Sequence, residues 1–397
     1  MACAPYNTNL LTRLAASTFI CPSTLGFLTM CLLAPCAAVA QVVTLKATAR
    51  VIATSEDGAF DAARWVQPLP DGSLIIPNSS EMALELWSRA GTRITRWGRK
   101  GAGPGEFRTL REGGTAGEGI WVADAAQQRT TFYGPSGVLR ATVRWPAIVR
   151  HATESVSPAG RVALSPRAWL DTNEFLGLAI PVAAGTDGTT IIRLARASVQ
   201  GGIGKEHVLP TQPAPTGRCA QVSPRVVVLR CPLARHAFST DGGRFAWVTQ
   251  SAMDDARGWY RLEVRDAQGS LLHTDSVAVT RRMISAAERD RLTRSVATAV
   301  RRAGVARIAE PTVAEPPRFS LSVDEVWVAT DGTTWIQLPG KGDTEVAFHR
   351  HVVGRRGFGR WTAPTDFVVL WAESTSVIGR HVNEAGVTVL VEYTIVP

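Results

Sequence analysis

Residues 97–107 read WGRKGAGPGEF, and residues 119–145 read GIWVADAAQQRTTFYGPSGVLRATVRW. The segment before them has the same layout. In DGSLIIPN (71–78) and LELWSRAGTRITRW (84–97), Leu74 precedes Ile120 by 46 positions, Leu86 precedes Phe132 by 46, and Gly91 precedes Gly137 by 46. A fixed offset carried through strand, turn and strand marks a repeated β unit, and this period suits one blade of a propeller.

Further copies follow. Asp71-Gly72, Gly117, Asp241-Gly242 and Asp331-Gly332 each precede an apolar strand rich in β-branched and aromatic residues, as tight β turns require. Glu263 to Gly269 shares its layout with Glu85 to Gly91. Two weaker copies complete a set of six. One holds strands at 161–164, 175–180 and 190–194; the other holds strands at 367–371 and 387–393 and ends one strand short of a full blade. Residues 42–52 alternate like a strand but precede the first repeat. Pairing them beside residues 387–395 closes the ring and removes its exposed edges. The expected fold is therefore all-β, a six-bladed β-propeller over residues 41–397 with a helical insertion at about 281–316 that holds one amphipathic helix at 285–303. Ser285 and Glu288 form a capping box and Gly304 a stop. Between them Leu292, Val296 and Val300 share a face at helical spacing, opposite Arg291 and Arg294.

The 97–107 and 122–130 stretches resemble the NHL repeat, in which a Gly-rich turn of the form FG-x-K-G-x-G-P-G-x-F is paired with V-A-D-x-x-N-H-R-I. Gln127 and Gln128 stand where that repeat commonly has Asn and His. The resemblance is specific over roughly residues 70–146 and implies an exported bacterial six-bladed propeller, with lactonases and lyases among the wider relatives. The same glycines lack the G-K-[ST] ending of a phosphate-binding loop, and no βαβ pattern surrounds them, so they read as a blade connector.

Residues 1–40 have the form of an export signal. Arg13 is their only charged residue, residues 25–33 are largely apolar, and Ala38-Val39-Ala40 before Gln41 gives a small-x-small cleavage pattern. Lipidation at Cys36 is the less favoured alternative, because Pro35 fits that signal poorly. The apolar run is too short for a transmembrane span, so the expected location is extracytoplasmic, periplasmic or secreted. Beyond the signal only Cys219 and Cys231 remain, and an even pair in an oxidising compartment reads as a disulfide; two buried thiols are the alternative. The formal net charge is +9, carried mostly by arginine scattered along the chain, with Lys46, Lys100, Lys205 and Lys341 the only lysines. A basic stripe interleaved with aromatics is absent, which argues against nucleic acid.

Local chemistry is sparse. His349 and His351 fall on one strand face, as metal ligands need, but no third ligand is near in sequence. Glu373 follows an apolar strand that could face the channel. No nucleophile elbow, Cys/His pair or zinc-protease helix occurs. Catalytic residues therefore stay unassigned, and no metal or cofactor is assigned. The expected role is a monomeric binding or interaction module for a protein, peptide or carbohydrate. Arg99, Lys100, Arg129, Arg291 and Arg294 are its candidate surface. The alternative is a metal-dependent hydrolase or lyase, lactonase-like, with a divalent cation in the central channel.

Overall fold

The computed structural model describes residues 42–55, 61–146, 149–150, 161–181, 193–200, 203–209, 234–251, 255–302, 318–340 and 345–396. These form six blades around an axis, each of four antiparallel strands, with a fifth strand added to blades three and five. Blade one runs through Gln67–Pro68, Leu74–Asn78, Ala83–Trp87 and Arg93–Trp97; blade two through Glu112–Ala116, Gly119–Asp124, Arg129–Tyr133 and Leu139–Arg144. Blade three comprises Arg161–Trp169, Glu174–Pro181, Arg193–Ser198 and Ile203–Val208, with Val149–Arg150 added inside. Blade four holds Arg235–Phe238, Arg244–Gln250, Arg257–Asp266 and Leu271–Thr280. Blade five holds Glu325–Val328, Thr334–Leu338, Glu345–His351 and Phe358–Pro364; blade six holds Val368–Ala372, Ser376–Val382 and Thr388–Val396.

The repeat read from the sequence has a physical counterpart in the outer hairpins. Gly91, Gly137, Gly269 and Gly386 have φ of 82°, 79°, 80° and 78°. Each donates its N–H to the carbonyl three residues back, on Ser88, Gly134, Asp266 and Asn383 respectively. A side chain is strained at such angles, so glycine recurs at the same blade position. Apolar residues then fill the seams between sheets. Trp121, Phe132, Trp169 and Phe175 pack between blades two and three, with Phe132 edge-on to Trp169 at 5.2 Å.

Ring closure follows the expected principle with a corrected register. Lys46–Ser55 is the outer strand of blade six, antiparallel to Thr388–Val396. Val42–Thr44 does not join that blade. It runs parallel to Phe358–Pro364 on the outer edge of blade five. Leu45 lies between the two pairings, buried among Trp361, Phe367 and Ile395, with its N–H donated to the Arg360 carbonyl at 2.8 Å. One apolar residue thus anchors a strand that staples two blades. The sequence alternation predicted a strand but could not reveal that Leu45 would divide it.

The inserted helix spans Ala286–Arg302, between blades four and five. The Ser285 hydroxyl accepts the Glu288 N–H at 3.2 Å, as an N-cap does, while the Glu288 carboxylate pairs with Arg282 at 2.7 Å. Leu292 is half-buried, and Arg291 and Arg294 are exposed. The side chains of Val296 and Val300, Gly304, and both Cys219 and Cys231 lie outside the described residues. Among those described, no helix is long and apolar enough to cross a membrane.

Candidate functional site

The innermost strands enclose an axial cavity of about 250 Å³. Each blade contributes: Arg64 and Trp65 from blade one, Arg111 and Glu112 from blade two, Arg167 from blade three, His236 from blade four, Trp327 from blade five and Trp371 from blade six. The carbonyl of Thr240, in the first turn of blade four, reaches blade two and accepts the Thr115 N–H at 2.9 Å, drawing the walls together at that end.

Charge in this cavity is uneven. Arg167 Nη1 sits 2.7 Å from Glu112 Oε1, and Arg111 Nε is 3.7 Å from the same oxygen. Two guanidiniums therefore approach one carboxylate, and Arg64, an exposed residue, also lines the cavity. His236 adds no cation at neutral pH, because burial, reinforced by the positive charge of Arg167 and Arg235, holds its pKa down at about 4. Its ring stacks on Trp247 at 6.1 Å. Among the described residues, the buried indole nitrogens of Trp65 and Trp121 and the buried Nε of Arg167 have no hydrogen-bond partner. The lining mixes Val66, Trp327 and Leu370 with these polar groups, and convergent polar groups beside apolar side chains are usual in a small-molecule site.

The Gly-rich connector is held by its own neighbours. Glu106 accepts the N–H groups of Ala102 and Gly103 at 2.9 and 2.8 Å and pairs with Arg99 at 2.8 Å. The Gly103 N–H, followed by Arg99, keeps its carboxyl below the usual range. Arg129 is buried beneath the turn and donates to the carbonyls of Ala102, Gly103 and Glu106. Asp124, fully buried, accepts from Arg108 N–H, Thr109 Oγ1 and Gln127 Nε2. Arg99, Lys100, Arg291 and Arg294 are exposed, whereas Arg129 stands inside the lock.

His349 and His351 do share a face, and the structure supplies partners that chain distance concealed. Blade four presents Tyr260 from one strand and His273 and Asp275 from the next. Tyr260 Oη lies 2.8 Å from His349 Nδ1 and 2.8 Å from His351 Nε2, and His351 Nδ1 lies 3.1 Å from Asp275 Oδ2. Burial, with Asp275 acting in the same direction, pushes the Tyr260 hydroxyl well above its ordinary pKa. Burial opposes the charge on Asp275, yet the hydrogen bond and charge of His351 and the Ser276 N–H hold its carboxyl low. His273 is pushed down by burial and then by His351, against the pull of Asp275. Glu373 bridges to the Thr330 N–H and hydroxyl of blade five, at 3.1 to 3.4 Å, and so braces adjacent blades.

The cavity residues Arg64, Arg111, Arg167 and His236 belong to no linear motif. Their shared signal is a polar side chain on or beside the inner strand of successive blades, legible only once strand order is known.

No protein-family profile matches the sequence, and no curated protein matches it. Solved structures similar to it include a member of the DUF4221 family from Bacteroides vulgatus, 9% identical over 90% of this chain and 98% of that one, with a TM-score of 0.49. A protein of Bacteroides fragilis thought to be exported is 10% identical over 90% and 99%, with a TM-score of 0.44. Virginiamycin B lyase from Staphylococcus aureus is 9% identical over 89% and 100%, with a TM-score of 0.34.

Proposed function

We propose that this chain is an exported β-propeller binding module that captures a small anionic ligand in its axial cavity. The observation that carries this reading is that Arg64, Arg111 and Arg167 line one cavity with a single carboxylate, Glu112. A guanidinium presents paired donors that match carboxylate and phosphate geometry. The unpartnered N–H groups of Trp65, Trp121 and Arg167 add to the case, since a buried donor left unmet costs roughly 1–3 kcal/mol and an acceptor on a ligand relieves that cost. The volume suits a ligand of about monosaccharide size. The signal-like residues 1–40 support export, with residues 41–397 as the mature monomer, and the 97–107 and 122–130 text supports an NHL-like origin.

The alternative, a metal-dependent hydrolase or lyase at the channel, needs a ligand set there. Among the described residues the His/Asp cluster that could hold an ion stands between blades four and five instead. A thermal-shift screen tests the anion reading, comparing glucuronate, glucose 6-phosphate and benzoate with glucose and benzamide. A ligand that binds only the folded state raises its stability, so the anions should raise the melting temperature and the neutral compounds should not. Preference for a neutral compound would defeat the proposal. N-terminal sequencing of the exported protein should begin at Gln41; a lipidated Cys36 start would replace secretion with anchoring.

A further inference from the structure

We propose that the seam between blades four and five holds a divalent metal ion, ligated by His273, Asp275 and His351, with Tyr260 and His349 fixing the proton positions behind it. The donor atoms of His273, Asp275 and His351 all lie within 4.8 Å of one another. Two imidazoles and one carboxylate suit a borderline divalent cation, zinc foremost, and leave a fourth position for water. Ligand atoms about 2.0 Å from a tetrahedral ion stand about 3.3 Å apart. His351 Nδ1 and Asp275 Oδ2 are already 3.1 Å apart. The remaining closure falls on His273, half-buried on an outer strand. Its buried Nε2 has no hydrogen-bond partner among the described residues.

The hydroxyl of Tyr260 gives this site its second layer. In one proton arrangement His349 Nδ1–H donates to Tyr260 Oη, Tyr260 O–H donates to His351 Nε2, and His351 Nδ1–H donates to Asp275. In the other, both imidazoles carry their proton on Nε2. His351 Nε2–H then donates to Tyr260 Oη, and Tyr260 O–H donates to His349 Nδ1. The second arrangement leaves a bare nitrogen lone pair on His351 Nδ1, 3.1 Å from a carboxylate oxygen. Lone pair and carboxylate repel unless a cation lies between them. Metal entry and reversal of the chain are therefore one event. A ligating histidine that donates its other N–H to a fixed acceptor is the usual supporting arrangement in metal sites. Three blade-four groups and two blade-five groups converge here, so the ion would also clamp neighbouring blades.

The test uses the full chain, stripped with a chelator and titrated with zinc in competition with a chromophoric chelator. One tight equivalent per chain is expected, and cobalt in its place should give the visible bands of four-coordinate geometry. His273→Gln and Asp275→Asn should each weaken zinc at least tenfold, and His381→Ala, at a half-buried histidine in blade six, should leave it unchanged. Tyr260→Phe should weaken it by roughly 10- to 100-fold. Nitrogen-15 spectra should show His351 as the Nδ1–H tautomer without metal and the Nε2–H tautomer with zinc. His273→Gln guards against a folding artefact, because its site is only half-buried and the melting of the stripped variant should match the stripped parent. No tight equivalent, or unchanged affinity in both ligand variants, would overturn the site. Loss of zinc on His236→Ala alone would put the ion in the axial cavity and equally overturn it. An unchanged His351 tautomer would overturn the role of Tyr260.

Discussion

Leu45 offers the sharpest test of how the ring closes. It is 7% exposed, and Gly359 packs directly beneath it. A Cβ built at Gly359 would lie 2.7 Å from both Leu45 methyl carbons, well inside van der Waals contact. Leu45→Ala removes a buried side chain from a cluster containing Trp361, Phe367 and Ile395, at an expected cost of about 3–4 kcal/mol. Gly359→Ala overpacks the same spot, at about 1–3 kcal/mol. The two changes share one volume. In the double variant the new methyl enters the space that leucine vacated, so its cost should fall at least 1 kcal/mol short of the sum. Thermal melting of the four proteins, with urea unfolding followed by two probes to test cooperativity, reads the cycle. Leu45→Ala should lower the melting temperature by on the order of 5–10 °C. A shift near zero, or strictly additive changes, would refute the claim that this residue docks the stapling strand.

Three further outcomes are expected. The pKa of His236 falls from 6.5 unfolded to about 4 folded, so the unfolded chain binds the extra proton between those values. Stability should decline as pH falls from about 6.5 to 4, by on the order of 3 kcal/mol, and flatten below; the His236→Gln variant should lose that slope, and an equal slope in both would contradict the assignment. Arg129→Met deletes three hydrogen bonds to the connector carbonyls. It should cost about 2–4 kcal/mol and speed hydrogen exchange at the Ala102 and Gly103 amides, whereas protected amides would place the lock elsewhere. Cys219 and Cys231 should resist thiol labelling in denatured, unreduced exported protein, and two labelled thiols per chain would disprove the disulfide.

The architecture was legible because it depends on local chemistry that recurs. Positive-φ glycines, Asp-Gly turns and alternating apolar strands state the blade several times over, and the last blade's missing strand pointed to residues near the start. Two details escaped. Ile203–Val208 completes blade three with polar residues at Lys205, Glu206 and His207 that no alternation marks. The break at Leu45 depends on the Gly359 surface in another blade. The site was scarcely legible for the same physical reason: its side chains come from all six blades, and only the packing of blades one, two and three brings Arg64, Arg111 and Arg167 to one cavity. His349 and His351 were visible as a pair because they are two apart on one strand. Tyr260, His273 and Asp275 lie in another blade, and only the seam between sheets unites them. Arg129 looked like surface charge in the text, yet the connector folds over it.

The claim that matters most is that the axial arginines bind an anion. Calorimetric titration of the most stabilising anion from the thermal screen, into the parent protein and Arg167→Gln, tests it most directly. One site per chain is predicted, weakened at least tenfold in the variant, a loss of about 1.4 kcal/mol, and weakened in the parent as salt rises. No saturable heat, or the same affinity in both proteins, would contradict it.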